Sequence, residues 1–239
     1  REQLADLLSS LRSPALRYAD ARFTDTHQQH VKVRNGEIDH LGSTVDRAVG
    51  VRVLVGDGWG FAATANLSEA SLRATAQRAL EVAAASNLAA TQKVALSEIE
   101  PHHATWVSPH RIDPWSVPLD RKIDHLLAAT EPMRGDPRVH QVSGEISSYR
   151  QHKIFVSSVG SAIEQTTTQM GGGIDAVAIA NGDFQRRTYP NPFGVDYQAA
   201  GWEFIEELDL PGKGQQVREE VLALLDAPKA PAGRFDLII

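Results

Sequence analysis

The 239-residue chain contains no cysteine. Disulfides, thiolate zinc sites, iron–sulfur clusters and a cysteine nucleophile are therefore excluded within it. It also lacks a basic surplus. Lys and Arg total 24 against 30 Asp and Glu, a formal net charge of −6, whereas a nucleic-acid binder carries a basic patch or stripe. Direct binding to nucleic acid is not expected. No stretch approaches the roughly 18 uncharged apolar residues of a membrane helix, and Arg52 interrupts the most apolar run, 49–55. No continuous hydrophobic signal region opens the chain. The sequence starts at Arg1 and ends in the apolar, β-prone run Phe235-Asp236-Leu237-Ile238-Ile239, so it is expected to be part of a longer protein.

What remains is ordinary globular composition, 42% hydrophobic and 23% charged, in a chain long enough to bury a core. Leu4, Leu7, Leu8 and Leu11 fall at i, i+3, i+4 and i+7, which predicts a helix over 2–12 stopped by Pro14. From 18 to 64 the period becomes two. Val31 and Val33 lead into the hairpin dipeptide Asn35-Gly36, and Val49, Val51, Val53 and Val55 lead into Gly56-Asp57-Gly58, Trp59 and Phe61. A helix follows, capped by Asn66 with Glu69 or by Ser68, with the alanine-rich stripe Leu72, Ala76, Ala79, Leu80 and Ala83.

Residues 97–118 hold Pro101, Pro109, Pro114 and Pro118, together with His102, His103 and His110. They read as a long connection between a first unit, 1–96, and a second, 119–239. A helix is expected over 117–130. A second β-rich stretch covers 139–189, with turns at Val159-Gly160 and Asn181-Gly182-Asp183. A last helix carries Val217, Val221, Leu224 and Leu225, bounded by Pro228 and Pro231. Both halves repeat one layout of meander then helix. The expected class is α+β, with mostly antiparallel β-meanders packed by amphipathic helices.

Chemistry is sparse. His27 and His30 are three apart on extended chain, which separates their side chains, and no Glu stands between them as in a zinc-protease helix. His102 and His103 are adjacent on extended chain and point apart. His110, His125, His140 and His152 show no ligand spacing. Ser158-Val159-Gly160-Ser161 is not a nucleophile elbow. Gly56-Asp57-Gly58-Trp59-Gly60 lacks both the spacing and the following helix of a phosphate loop. Gly171, Gly172 and Gly173 mark either a bulge or bend, or a place where another chain comes close. They are the substrate-binding candidates, as an open strand edge for a peptide. Arg186 and Arg187 could bind a carboxylate or protect an edge. The pattern alone selects no catalytic and no metal-binding residue.

Several segments nevertheless resemble the TldD/PmbA family, also called TldD/TldE. They are Arg34-Asn35-Gly36-Glu37-Ile38, Gly50-Val51-Arg52-Val53-Leu54, Gly58-Trp59-Gly60-Phe61-Ala62-Ala63-Thr64, and the helix that starts at Leu67-Ser68-Glu69. Asp113-Pro114-Trp115, Val117-Pro118-Leu119, Lys122 and the run from Pro231-Ala232-Gly233-Arg234 to Ile239 follow in the same order. The resemblance implies a soluble, cytoplasmic metallopeptidase that works as a homodimer, or as a heterodimer of a TldD-like catalytic subunit and a TldE/PmbA-like partner. Its substrates would be peptides such as leader peptides or unfolded antitoxins. An older label for the family is modulator of DNA gyrase. The resemblance implies zinc, held by a His-Glu-x-x-x-His helix and completed by a later cysteine. None of that motif occurs here, so no catalytic residue carries over, and the motif is expected beyond Ile239. The wording around Trp59-Gly60-Phe61 is nearer the catalytic subunit. Competing readings are a non-catalytic peptide-binding subunit and, less well supported by the charge, a direct regulator of DNA topology.

Overall fold

The computed structural model describes residues 1–228, 232–234 and 236, so Pro231, Phe235 and the run Leu237-Ile238-Ile239 lie outside the described residues. Eight strands form one sheet: β1 (Leu16–Arg34), β2 (Glu37–Val55), β3 (Gly58–Thr64), β4 (His103–Val107), β5 (Val139–Ser157), β6 (Ala162–Ala180), β7 (Asp183–Tyr189) and β8 (Asp196–Gln198). The path runs β3-β2-β1-β5-β6-β4, and β7 and β8 also pair with β6. Among the described residues, five α-helices complete it: α1 (Glu2–Ser9), α2 (Glu69–Leu88), α3 (Leu119–Thr130), α4 (Glu203–Leu208) and α5 (Leu210–Asp226). This is the expected α+β class. The repeated layout appears in the strand lengths, since β1, β2 and β3 have 19, 19 and 7 residues, as do β5, β6 and β7.

The chain divides into two compact units. One holds Arg1–Gln29, Gly42–Arg111 and Ser148–Gln169, and the other His30–Leu41, Ile112–Ser147 and Met170–Ile239. Four long strands contribute to both. The division at Arg111 falls in the proline-rich stretch, and the remaining divisions fall inside strands, where no turn or linker marks them.

In the first unit, α1 and α2 cover Ala19, Ala21, Val49, Val51, Val53, Val55 and Val156. The α2 backbone lies directly on β3 at Gly58 and Gly60. A Cβ at Gly60 would stand 2.1 Å from the Ala79 carbonyl oxygen and 2.3 Å from the Ala83 nitrogen. The alanine stripe of α2 suits this close approach. Ser68 is the N-cap, accepting from the Ser71 N–H at 3.4 Å, while Asn66 accepts from Ser68. Helix α1 ends at Ser9, earlier than the apolar spacing indicates, because the Ser9 and Ser10 hydroxyls donate to the Asp6 and Leu7 carbonyls and close the last turn.

In the second unit, α3, α4 and α5 pack on Val142, Ile146, Met170, Ile174, Ala176 and Ala178, with Trp202 and Ile205 at the centre. Asp209 takes the left-handed conformation (φ 46°), ending α4 and capping α5 through the Gly212 N–H. The expected helix around Val217 thus has a short predecessor that its apolar spacing did not reveal.

One expectation needs correcting. Residues 97–118 are not only a connection, because they contain β4, which pairs in parallel with Ala162–Thr166 of β6. All five of its residues are exposed, so it has no buried alternation to read. Beyond β4, Ser108 continues the ladder. Its N–H donates to the Thr166 carbonyl at 2.8 Å, and its hydroxyl accepts from the Thr168 N–H at 2.7 Å.

Candidate functional site

The three glycines lie in the middle of β6, in unbroken strand rather than at a bend. Their outer edge is not open. Strand β8 pairs with Met170, Gly171 and Gly172, and β7 begins its pairing at Ile174. The space a Cβ would need is filled from within the chain: by the Tyr197 ring at Gly171, by Ile205 at Gly172, and by the Gly194 and Tyr189 carbonyls at Gly173. Close approach is what the glycines permit, and the approaching segment is the protein's own 194–198. Arg186 and Arg187 on β7 are engaged as well, Arg186 with Asp175 at 3.4 Å and Arg187 with Glu220.

The histidines do not gather. His27 meets Asp25 at 2.9 Å, His30 meets Glu145 at 3.4 Å, and His152 meets Glu164 at 2.8 Å. Among the described residues, no group of three or more His, Asp or Glu side chains could hold a metal ion. With no cysteine in the chain, these residues do not fit a resident metal.

Among the described residues, buried charge gathers in two places. In the second unit, Glu203 is 7% exposed and accepts from the Ile112 and Gly201 N–H groups, both at 2.9 Å. Asp113 accepts from the Trp115 N–H at 2.8 Å, shaping the turn before α3. Lys122 is 1% exposed. Burial lowers its ammonium to about 8, with Asp113 opposing the shift. His125 packs edge-on against Trp202 with its Nε2 buried and unbonded, and burial lowers its pKa. This cluster ties segment 112–118 to α3 and α4.

The other place is on the first unit, on the face opposite the Val49 to Val55 row. Asp20, 2% exposed, accepts from Arg52 Nε at 2.8 Å and Arg52 Nη2 at 2.6 Å. The Arg52 guanidinium lies 4.9 Å from the Trp59 ring centroid and 5.9 Å from that of Tyr18, and the two rings meet edge to face. The Tyr18 pKa is raised, first by burial and then by the Asp20 charge. Arg22 approaches Asp20 only to 3.8 Å and lies over Phe155 at 5.3 Å.

Two concavities share Arg52. One, of about 320 Å³, has Arg22, Asp20 and Phe61 around the small residues Ala48, Gly50 and Ala63. The other, of about 550 Å³, lies beside Tyr18 and Trp59 under segment 95–99. That segment is held at Val94 by Asp57 and Arg17, and at His102 by Ser161 and Ala162. None of this groove was singled out from the sequence. Its signal was Arg52 within the most apolar strand, together with Tyr18, Asp20 and Arg22 at alternate positions.

With this geometry in view, comparison defines a class. Residues 19–83 match the model of PmbA/TldA metallopeptidase domain 1, and residues 112–225 match that of the PmbA/TldA metallopeptidase central domain. The chain belongs to the PmbA/TldD metallopeptidase family. A metalloprotease of Methanocaldococcus jannaschii is 26% identical over 93% of this chain and 48% of its own length. The metalloprotease TldD homolog of Haemophilus influenzae is 24% identical over 93% of this chain and 46% of its own. The chain thus spans about half the length of the curated relatives it matches.

A solved structure from Thermotoga maritima, named as a modulator of a DNA gyrase, matches with TM-score 0.72 and 16% identity over 97% of this chain and 50% of that one. TldE from Thermococcus kodakarensis matches with TM-score 0.60 and 13% identity over 94% and 46%. At such identities the likeness establishes the fold alone. No helix among the described residues is long and apolar enough to cross a membrane.

Proposed function

We propose that this chain is the N-terminal region of a cytoplasmic, zinc-dependent peptidase of the TldD type, whose metal ligands and general base lie outside these residues. The observation that carries the reading is the ordered match to the family's first and central domains, in a chain spanning about half of relatives named metalloproteases. In this reading the region forms a wall of the peptide channel and a dimer interface with a TldE/PmbA-like subunit. It acts on peptides or unfolded segments of the leader-peptide or antitoxin kind. Gly171, Gly172 and Gly173 remain candidates for peptide contact, and a peptide there would meet Tyr197, which is 57% exposed over Gly171.

The test is the full reading frame. A His-Glu-x-x-x-His motif after Ile239, about one zinc per chain in the purified full-length protein, and peptide hydrolysis blocked by a chelator are expected. A frame without that motif would overturn the enzyme reading. The second reading is a non-catalytic TldE/PmbA-like subunit, which the ordered match to the family's first and central domains fits equally. It expects full-length protein that binds peptide without zinc.

A further inference from the structure

We propose that the groove on the first unit binds an extended peptide through a side-chain carboxylate, Asp or Glu, held by Arg22 beside the Asp20-bound Arg52. A neighbouring apolar side chain would lodge beside Tyr18 and Trp59 under segment 95–99. The inference rests on the reading of this family member as a peptide-handling protein, and adds which peptides it prefers.

Two guanidinium groups share one carboxylate here. Asp20 is committed to Arg52 through two short hydrogen bonds, so Arg52 is fixed in direction and its charge is neutralised. Among the described residues, Arg22 has only the 3.8 Å approach to Asp20, and no hydrogen bond occupies its fork. It is 54% exposed along its side chain, with its guanidinium carbon 5.3 Å from the Phe155 ring centroid. One positive charge is left over at the mouth of a concavity, on a chain whose net charge is −6. A carboxylate entering there would meet a pre-oriented, charge-assisted donor.

The walls suit a peptide better than a small free acid. Phe61 is 62% exposed and lies across Gly50, which has no side chain to fill the floor. The second concavity continues past Arg52 and is larger, walled by two aromatic rings and by Leu96 and Ile99, which are 41% and 64% exposed. An acidic residue followed by an apolar one fits the two in sequence.

The experiment uses this 239-residue chain and the blocked pentapeptide acetyl-Ala-Leu-Glu-Leu-Ala-amide. Binding is read by the Trp59 indole shift in NMR and by anisotropy of a labelled copy. Saturable binding that weakens with salt is expected, at least tenfold tighter than for the Gln isostere. Arg22→Met should abolish that preference and Arg22→Lys should restore part of it. Asp20 keeps Arg52 in both variants, so the fold is not at stake. Equal binding of the Glu and Gln peptides, a preference that survives Arg22→Met, or no saturable binding would overturn the proposal. So would equal binding of glutarate, or of the Gln peptide with a free C-terminal carboxylate, since the carboxylate would then come from another source. The outcome is separable from the peptidase reading: the preference can fail in a protein that hydrolyses peptides, and hold in one that does not.

Discussion

Substituting Gly60 by alanine adds one methyl group where β3 meets α2. Its new Cβ would sit 2.1 Å from the Ala79 oxygen and 2.3 Å from the Ala83 nitrogen, and both atoms are helix backbone. No rotamer change relieves such a contact, so α2 must lift by roughly 1 Å, loosening the packing of Leu72, Ala76 and Leu80 on the sheet. Overpacking of this kind costs about 1–3 kcal/mol. The smaller loss of backbone freedom for Ala than for Gly returns about 0.5–1 kcal/mol. The expected net is a destabilisation of about 1 kcal/mol, or a fall of roughly 2–4 °C in Tm for a chain of this size. Urea titration and a thermal melt followed by circular dichroism measure it. A second substitution sharpens the test. Ala83→Gly removes a methyl group but not the nitrogen that the new Cβ strikes. The double variant should therefore be worse than Gly60→Ala alone, by the cost of about 1 kcal/mol for glycine inside a helix. Rescue by Ala83→Gly, or a Gly60→Ala protein within 0.5 kcal/mol of the parent, a margin typical of neutral substitutions, would refute the backbone-contact account.

Lys122 titrates near 8 in the folded protein, whereas a free lysine titrates near 10.4. Between these values the unfolded chain holds a proton the folded one has released, so this group makes stability rise with pH across that window. Stability of the parent relative to Lys122→Met should therefore rise from pH 7.5 to 10 in urea titrations, and parallel profiles would contradict the assignment. Glu203→Ala should destabilise by about 2–4 kcal/mol, because it leaves the Ile112 and Gly201 N–H groups without their acceptor. Glu203→Gln should fall between parent and Ala, and faster exchange of the Ile112 amide should accompany both; unchanged exchange would argue against this role.

Much of the fold could be read because its turns are chemically explicit. Asn35-Gly36 and Asn181-Gly182 both adopt positive φ, as a tight hairpin requires, and each joins strands whose alternation shows in the valines or in the Ile174 to Ile179 run. What stayed hidden depends on distant partners. Strand β4 exists because β6 offers it an edge, and nothing in His103-Ala104-Thr105-Trp106-Val107 records that. The break between α4 and α5 rests on one left-handed residue, Asp209. The two units share their longest strands, and the all-polar run from Thr24 to His30 carries no apolar alternation to mark where one gives way to the other.

The site was hidden for a related reason. Three consecutive glycines draw the eye because they are rare, yet their meaning depends on what approaches them, and Tyr197 and Ile205 come from downstream segments. The groove is built the opposite way, from residues unremarkable one at a time: Tyr18, Asp20 and Arg22 on one strand, Arg52 on the next, Trp59 and Phe61 on a third. Only the register that sets Arg52 opposite Phe61 and Leu54 opposite Trp59 brings them onto one face. Arg52 alternates with the buried valines, so it faces away from their core, where its guanidinium, 43% exposed along the side chain, is bound by a carboxylate. The partner, Asp20, lies 32 residues earlier, and the bond between them fixes Arg52 in place.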